Sequence, residues 1–404
     1  MTVRIKKREI LTVALMLAFV EPTFFYTIPI LDTFFTMARL LAICIVAILV
    51  FGKKIRINKI DVLLIIYYGI LMVSQMLSEN TMCQVLIYMG NAMGFVLLLE
   101  IELKRDSSFF IKSLGIWLRL LVCINFALMM IYPEGMYTIY NADNVWHSSS
   151  NWLLGYRNAH IYTIIPATLI TIIEDYIKTG KLIGSIRTVL FLMVAVASIV
   201  TGKSATSLMF VFALGFFFLF FIGFRQYKNR IFTNYRVFVV FPVILFFAII
   251  IFRVQEKFAW FITDVLGRNL TFSSRIYIWD KAIYYIKQRW WIGYGIEPQI
   301  VRIQKFGMSD AVHAHNQILE LLYTGGIGLL IVFFFMIIII GKKCMLYKKD
   351  KLSIWFLFIL GTLLVMYLTE AYFTGQPLIV GMFVILYHVD GFVRIREERA
   401  DVGK

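Results

Sequence analysis

The chain has 404 residues, of which 60% are hydrophobic and only 16% charged, with a formal net charge of +16. Soluble chains average about 45–50% apolar and about 25% charged, so an ordinary soluble domain of this length is excluded. Lys and Arg lie in short segments between apolar runs and form no continuous patch, which sets aside nucleic acid as the partner of all that positive charge.

The N-terminus, Met1 to Glu9, is basic and runs straight into an apolar stretch with no small-residue cleavage site, the pattern of a retained first helix. A membrane span needs about 20 mostly apolar residues, and about twelve such stretches follow one another. They fall near 10–29, 33–51, 61–78, 84–100, 113–132, 159–177, 187–201, 205–224, 237–252, 317–341, 352–370 and 377–393. Alternate connections are basic: Lys53 to Lys59, Lys104 to Lys112, Lys178 to Arg187, Arg225 to Arg236 and Lys342 to Lys351, together with both termini. The positive-inside rule puts that set, and both termini, in the cytoplasm. The expected fold is therefore all-α: one integral membrane domain over residues 1–404, a polytopic bundle of about 12 transmembrane helices. Two outward segments are longer than a turn, a smaller one at 133–159 and a large extracytoplasmic loop at 253–316. The four cysteines, Cys44, Cys83, Cys123 and Cys344, make no close-spaced pair, so neither a disulfide framework nor a zinc site is expected.

The large loop carries nine Lys or Arg, against the positive-inside pattern. Within it, Ile276, Trp279, Ile283, Ile286 and Trp290 recur at three- and four-residue steps, which predicts an amphipathic helix that Ser273 or Ser274 caps. Gly293-Tyr294-Gly295 then reads as a flexible hinge. Next comes His313-Ala314-His315-Asn316, leading into an apolar helix with Glu320 in its first turns, and Asn316 is a natural N-cap. Two of the five histidines of the chain stand here, beside an amide, a carboxylate and a cationic segment.

The order Ser274-Arg275, Trp279, Gly293-x-Gly295, then His315-Asn316 with Glu320 and a Gly-rich helix start, resembles the O-antigen ligase and O-antigen or capsular polysaccharide polymerase (Wzy) superfamily. The resemblance covers about 60 residues closely and the remainder in topology alone. It implies a bacterial cytoplasmic-membrane enzyme, a glycosyltransferase acting on undecaprenyl-diphosphate-linked oligosaccharide at the outer face, with membrane lipid around it. It also implies a flippase and a chain-length regulator of the same pathway as partners. The family's functional Arg maps onto Arg275 and its functional His onto His315. Arg157, in Gly155-Tyr156-Arg157-Asn158, and Lys203, in Thr201-Gly202-Lys203-Ser204, map onto further cationic positions. Many relatives carry Arg where Lys203 stands, and Lys does not reproduce a bidentate guanidinium contact.

Displacing a lipid diphosphate from a sugar builds negative charge on the leaving group, and fixed cations facing it lower the barrier. The expected clamp is Arg275 with Arg157, helped by Lys203 or Arg268. His315 is the expected base for the attacking hydroxyl, with Glu320 orienting it or touching sugar, and His313, Asn316 and Trp279 completing a substrate surface. No Asp-x-Asp or His-Glu metal pattern occurs, so neither metal nor cofactor is expected. Thr201-Gly202-Lys203-Ser204 imitates the end of a P-loop but lacks the earlier glycine, Ala197 standing in its place. Glu21, Arg39 and Glu370 fall near the outer ends of expected spans and Arg119 deeper, as costly ionisable groups whose place in a shared cavity is open. The leading function is polymerisation of repeat units. A ligase passing a finished glycan to lipid, wall or protein is the near alternative, and a lipid-linked oligosaccharide transporter or flippase the alternative of another class.

Overall fold

The computed structural model describes residues 6–53, 57–140, 147–223, 233–254, 272–308 and 311–402. Its helices are α1 (Lys7–Phe19), α2 (Pro29–Lys53), α3 (Lys59–Leu77), α4 (Cys83–Ile131), α5 (Ile161–Thr179), α6 (Ile186–Gly202), α7 (Ala205–Phe216), α8 (Tyr235–Phe246), α9 (Phe272–Gln288), α10 (Gln299–Phe306), α11 (Gln317–Leu346), α12 (Lys351–Met366), α13 (Pro377–Tyr387) and α14 (Val389–Val402). Among the described residues the bundle is all-α save for one small antiparallel sheet between α4 and α5: β1 (Tyr137–Tyr140), β2 (His147–Trp152) and β3 (Gly155–Tyr156).

The count of about twelve spans is corrected. Among the described residues four helices, α2, α3, α4 and α11, are long and apolar enough to cross a membrane, and α13 with α14 makes a fifth if that pair, bent by 59°, is one span. The expectation erred for physical reasons. The stretches at 84–100 and 113–132 fall on the two arms of the 49-residue element α4, which breaks at Asp106, φ −157 and ψ 75. The stretch at 10–29 stops at Phe19, because Pro22 takes an extended conformation and starts a 3₁₀ turn, Thr23–Thr27. Most of the other expected spans fold as apolar helices of 10–17 residues. The long apolar helices are those of a membrane protein: Ile30, Phe34, Leu41, Ile48 and Phe51 on α2 are all more than half exposed, a surface that water does not tolerate.

The large extracytoplasmic loop at 253–316 is corrected as well. Residues 255–271, with Arg268, lie outside the described residues, and most of the rest is helix, α9 and α10, packed on α11. Of the predicted stripe, Trp279 and Ile286 are buried with Ile278 and Ala282 against Phe306, Leu319 and Tyr323 in a satellite core, Ile276 and Ile283 are partly buried beside it, and Trp290 is exposed. The helix starts at Phe272, so Ser273 and Ser274 lie inside its first turn and do not precede it. The expected hinge is a pinned turn: Tyr294 N–H donates to the Tyr323 carbonyl at 2.7 Å and Gly295 N–H to that of Thr324 at 2.9 Å.

The basic connections gather at one end. There Lys343 pairs with Asp390, Arg399 donates to Ser108, Arg105 to Thr12, and His388 meets Glu100. The described parts of both termini, at the start of α1 and in α14, belong to that end. Arg119 is tied to Glu174 at 2.9 Å, and Arg187 and Lys178 share the same carboxylate. The opposite end holds the 3₁₀ turn, the small sheet, the start of α11 and the α12–α13 connection.

One backbone feature sets the start of α11. Gly326 has φ 66 and ψ −163, a conformation open in practice only to glycine. A Cβ there would sit 2.2 Å from the Trp291 carbonyl oxygen. Gly326→Ala is therefore expected to destabilise the protein by about 3 kcal/mol. Gly328→Ala, whose Cβ meets Ile70 at an ordinary 3.6 Å, serves as the control. Thermal unfolding in detergent separates the two, and equal melting temperatures would refute the assignment of strain.

Candidate functional site

A cavity of about 1040 Å³ opens at the end of the bundle away from the basic connections. Arg157, Arg275, His313, His315 and Glu320, all singled out in the sequence, line it. So do Glu21 and Arg39, which form an ion pair on its far wall.

Each functional side chain is delivered by a specific piece of local structure. The sheet turns at Gly155, φ 90, and the chain leaving β3 presents Tyr156, Arg157 and Asn158. That turn is fixed from behind by His160, which is buried, meets the Gly155 carbonyl at 3.1 Å and packs edge-on against Trp152. Burial pushes the His160 imidazole down to about 4. His315 sits at the start of α11 with φ 46, in the left-handed region that residues other than glycine seldom occupy. Such conformations cluster at functional sites. Asn316 is the N-cap as expected: Oδ1 accepts from Leu319 N–H at 3.0 Å, and Nδ2 donates to the Leu368 carbonyl at 3.0 Å. It is fully buried and braces the site without lining it.

Glu370, in the connection after α12, is the hub of the cluster. Its Oε1 accepts from Arg275 at 3.0 Å and from Asn158 at 3.2 Å. Its Oε2 lies 3.6 Å from His315 Nδ1. The carboxylate is only 2% exposed. Burial alone would push it up, but His315, His313 and Arg275 together draw it below its ordinary value, so it stays charged. Sequence reasoning singled Glu370 out as an ionisable group at a span end but gave it no role, because it stands 55 residues after His315 with no motif to join them.

Glu320 does not orient His315. It accepts from Arg302 at 2.6 Å and from Ala314 N–H at 2.9 Å, and so fixes the segment that carries the two histidines. Arg302, which the sequence reading passed over, lies over the Tyr323 ring and is almost wholly buried. Trp279 is 2% exposed in the satellite core and does not line the cavity. Lys203 caps α6 with φ 52 and is exposed; its neighbour Gly202 approaches the Arg157 Cβ, but Lys203 itself does not line the cavity. Arg157 makes no ion pair among the described residues, which leaves it the cavity cation most available to an anion.

His313, His315 and Glu370 bring three ligand atoms within 4.8 Å of one another, close enough for a metal ion. Against that use, His313 Nδ1 accepts the His315 N–H at 3.1 Å. A neutral imidazole that accepts at Nδ1 keeps its proton on Nε2, so it has no second lone pair to give a metal. Arg275 already answers the Glu370 charge.

Burial, then the adjacent His315, pushes His313 well below the ordinary histidine value of about 6.5. A lowered folded value means that the unfolded chain binds the proton more readily, so this contribution to stability is complete above about 6.5 and is lost as pH falls towards the folded value. The melting temperature in detergent is expected to fall as pH is taken from about 7 to about 5, and His313→Gln to flatten that fall. An unchanged slope in the variant would refute the assignment.

The site is a half-buried, cation-bearing cavity at one end of a bundle with the long apolar helices of a membrane protein. Residues 189–334 match the family model described as O-antigen ligase, a match over part of the chain that supports membership in the O-antigen ligase and Wzy superfamily. The match includes Lys203, Arg275, Trp279, His313, His315, Asn316 and Glu320, and omits Arg157 and Glu370. It points to enzymatic, polysaccharide-related activity with a lipid-linked glycan as the class of substrate. No curated protein matches the chain.

Proposed function

We propose that this protein is a polysaccharide polymerase that joins undecaprenyl-diphosphate-linked oligosaccharide repeat units at the outer face of a bacterial cytoplasmic membrane. The observation that carries this reading is the single carboxylate of Glu370 held between a guanidinium and an imidazole, Arg275 and His315, that line a large cavity. An acceptor hydroxyl attacks the anomeric carbon of the donor sugar. A new C–O bond forms, the bond to the diphosphate breaks, and the diphosphate leaves with the electron pair. Arg275 and Arg157 face the charge that grows there; a planar guanidinium suits phosphate oxygens. A proton on His315 Nδ1, turned to Glu370, leaves the Nε2 lone pair to take the proton of the acceptor. The outer-face placement is supported by the cavity lying at the end opposite the basic connections.

The chemistry needs no metal, since the cations of the clamp are side chains. The test is elongation of a defined lipid-linked repeat by purified protein in detergent. Longer products are expected, in unchanged yield after chelation with EDTA. Absence of any extension would sink the polymerase reading, and loss with EDTA would sink the metal-free mechanism. Extension without a bilayer would also exclude pure transport.

The family description itself favours a second reading, transfer of a finished glycan by a ligase. Surface glycan from a deletion strain separates the two. Loss of a polymerase leaves single repeats attached, whereas loss of a ligase leaves long chains unattached.

A further inference from the structure

The cavity is larger than the proposed clamp requires. Small-molecule sites run about 300–1,000 Å³, and this one, at about 1040 Å³, exceeds the space of a diphosphate and one sugar ring. Its chemistry also divides. Arg157, Arg275 and the histidines occupy one part, whereas the face contributed by α4 carries no charge. There Gln84, Tyr88 and Asn91 stand at steps of four and three residues, one side of one helix, and all three line the cavity.

That face is built and held. Gln84 Nε2 donates to Tyr88 Oη at 3.0 Å, which leaves the Gln84 carbonyl as acceptor and the Tyr88 hydroxyl proton as donor. The Tyr88 ring is backed by Gly375, where a Cβ would come to 3.3 Å of it. The preceding residue, Thr374, is gripped by the Tyr67 hydroxyl at 2.7 Å and, through its carbonyl, by the Tyr68 hydroxyl at 2.9 Å. Gln376 continues the wall at the start of α13. Asn91 has no hydrogen-bond partner among the described residues. Asn91 stands inside a long apolar helix, where an amide is costly unless something polar meets it. Amides that bridge hydroxyls, beside an aromatic ring that stacks on C–H groups, form a surface for uncharged sugar rings and not for phosphate.

We infer that Gln84, Tyr88 and Asn91, with Gln376, form a saccharide subsite that holds the neutral sugar units of the acceptor glycan, apart from the cationic part that takes the donor diphosphate. The acceptor role rests on the glycosyl-transfer reading above, whereas the binding of neutral sugar does not.

The test measures binding of fluorescently labelled, lipid-free and phosphate-free tetrasaccharides to the full chain in nanodiscs. One set is neutral, built from hexose and N-acetylhexosamine; the other contains uronic acid. Wild type is expected to bind neutral members, the Gln84→Leu/Asn91→Leu double variant at least tenfold more weakly, and Arg275→Ala as wild type does. Melting temperatures confirm that each variant is folded. Tyr88→Phe, which keeps the ring, is expected to lose less than the double variant and stands in for it if the double variant does not fold. Failure of every neutral member to bind wild type, equal affinity in the double variant, preference for the acidic set, or equal loss in Arg275→Ala would each overturn the subsite. In the elongation assay the double variant is expected to raise the acceptor KM with little change in kcat. Neutral binding without elongation would leave the subsite standing and remove the polymerase reading; elongation with an unchanged acceptor KM would do the reverse.

Discussion

Replacing His315 with asparagine is expected to cut repeat-unit elongation by ~10²–10⁴-fold, the usual contribution of a positioned general base. Asparagine is the informative substitution because residue 315 holds φ 46. Asparagine tolerates the left-handed region better than most residues, so the backbone at the start of α11 is kept while the base is lost. His315→Ala removes the base too but adds backbone strain, and a loss of activity there mixes two causes. Binding of lipid-linked donor should be nearly unchanged in His315→Asn, because the diphosphate clamp is untouched. The measurement is product length and initial rate with wild type and His315→Asn at matched protein stability. An asparagine variant that elongates at the wild-type rate would remove His315 from the chemistry and leave Glu370 as a mere partner of Arg275.

The second large effect belongs to Arg275. Arg275→Ala is expected to lower the elongation rate by ~10²–10³-fold, the scale seen when one fixed donor to a developing anion is lost. Arg275→Lys should recover little, because an ammonium restores charge but not the planar fork that meets two phosphate oxygens. The alanine change has a structural side effect as well. It leaves Glu370, 2% exposed, with a charge that only Asn158 and His315 answer. An uncompensated buried carboxylate destabilises the fold. Arg275→Ala/Glu370→Gln removes that charge and is expected to regain melting temperature without regaining rate. Should the double variant recover both, Arg275 serves only to hold Glu370 in place.

The sequence made the membrane character legible, because long apolar runs say directly what the solvent is. It misjudged the number of crossings, since apolar length does not show where a run stops being helix. Pro22 ends one run, and the break at Asp106 divides α4 into two arms. The three-stranded sheet escaped notice because its strands are short, polar and turn-rich, with no alternation strong enough to read. Arg157, Arg275, His313, His315 and Glu320 were found because motif and residue type point to them, and the fold does bring them to one cavity. Glu370 and Arg302 were left without roles because their importance lies in what they touch across the fold. Trp279 illustrates the opposite error: a motif residue whose work is packing.

Glu370 has one negative charge and two claimants. On the proposed reading, an arriving diphosphate competes for the Arg275 guanidinium. As the guanidinium turns to the newcomer, the carboxylate is left to Asn158 and the imidazole, which it then holds in place for the acceptor hydroxyl. Donor arrival and base readiness then become one event. The order of substrate arrival would then be enforced by the contacts of three side chains.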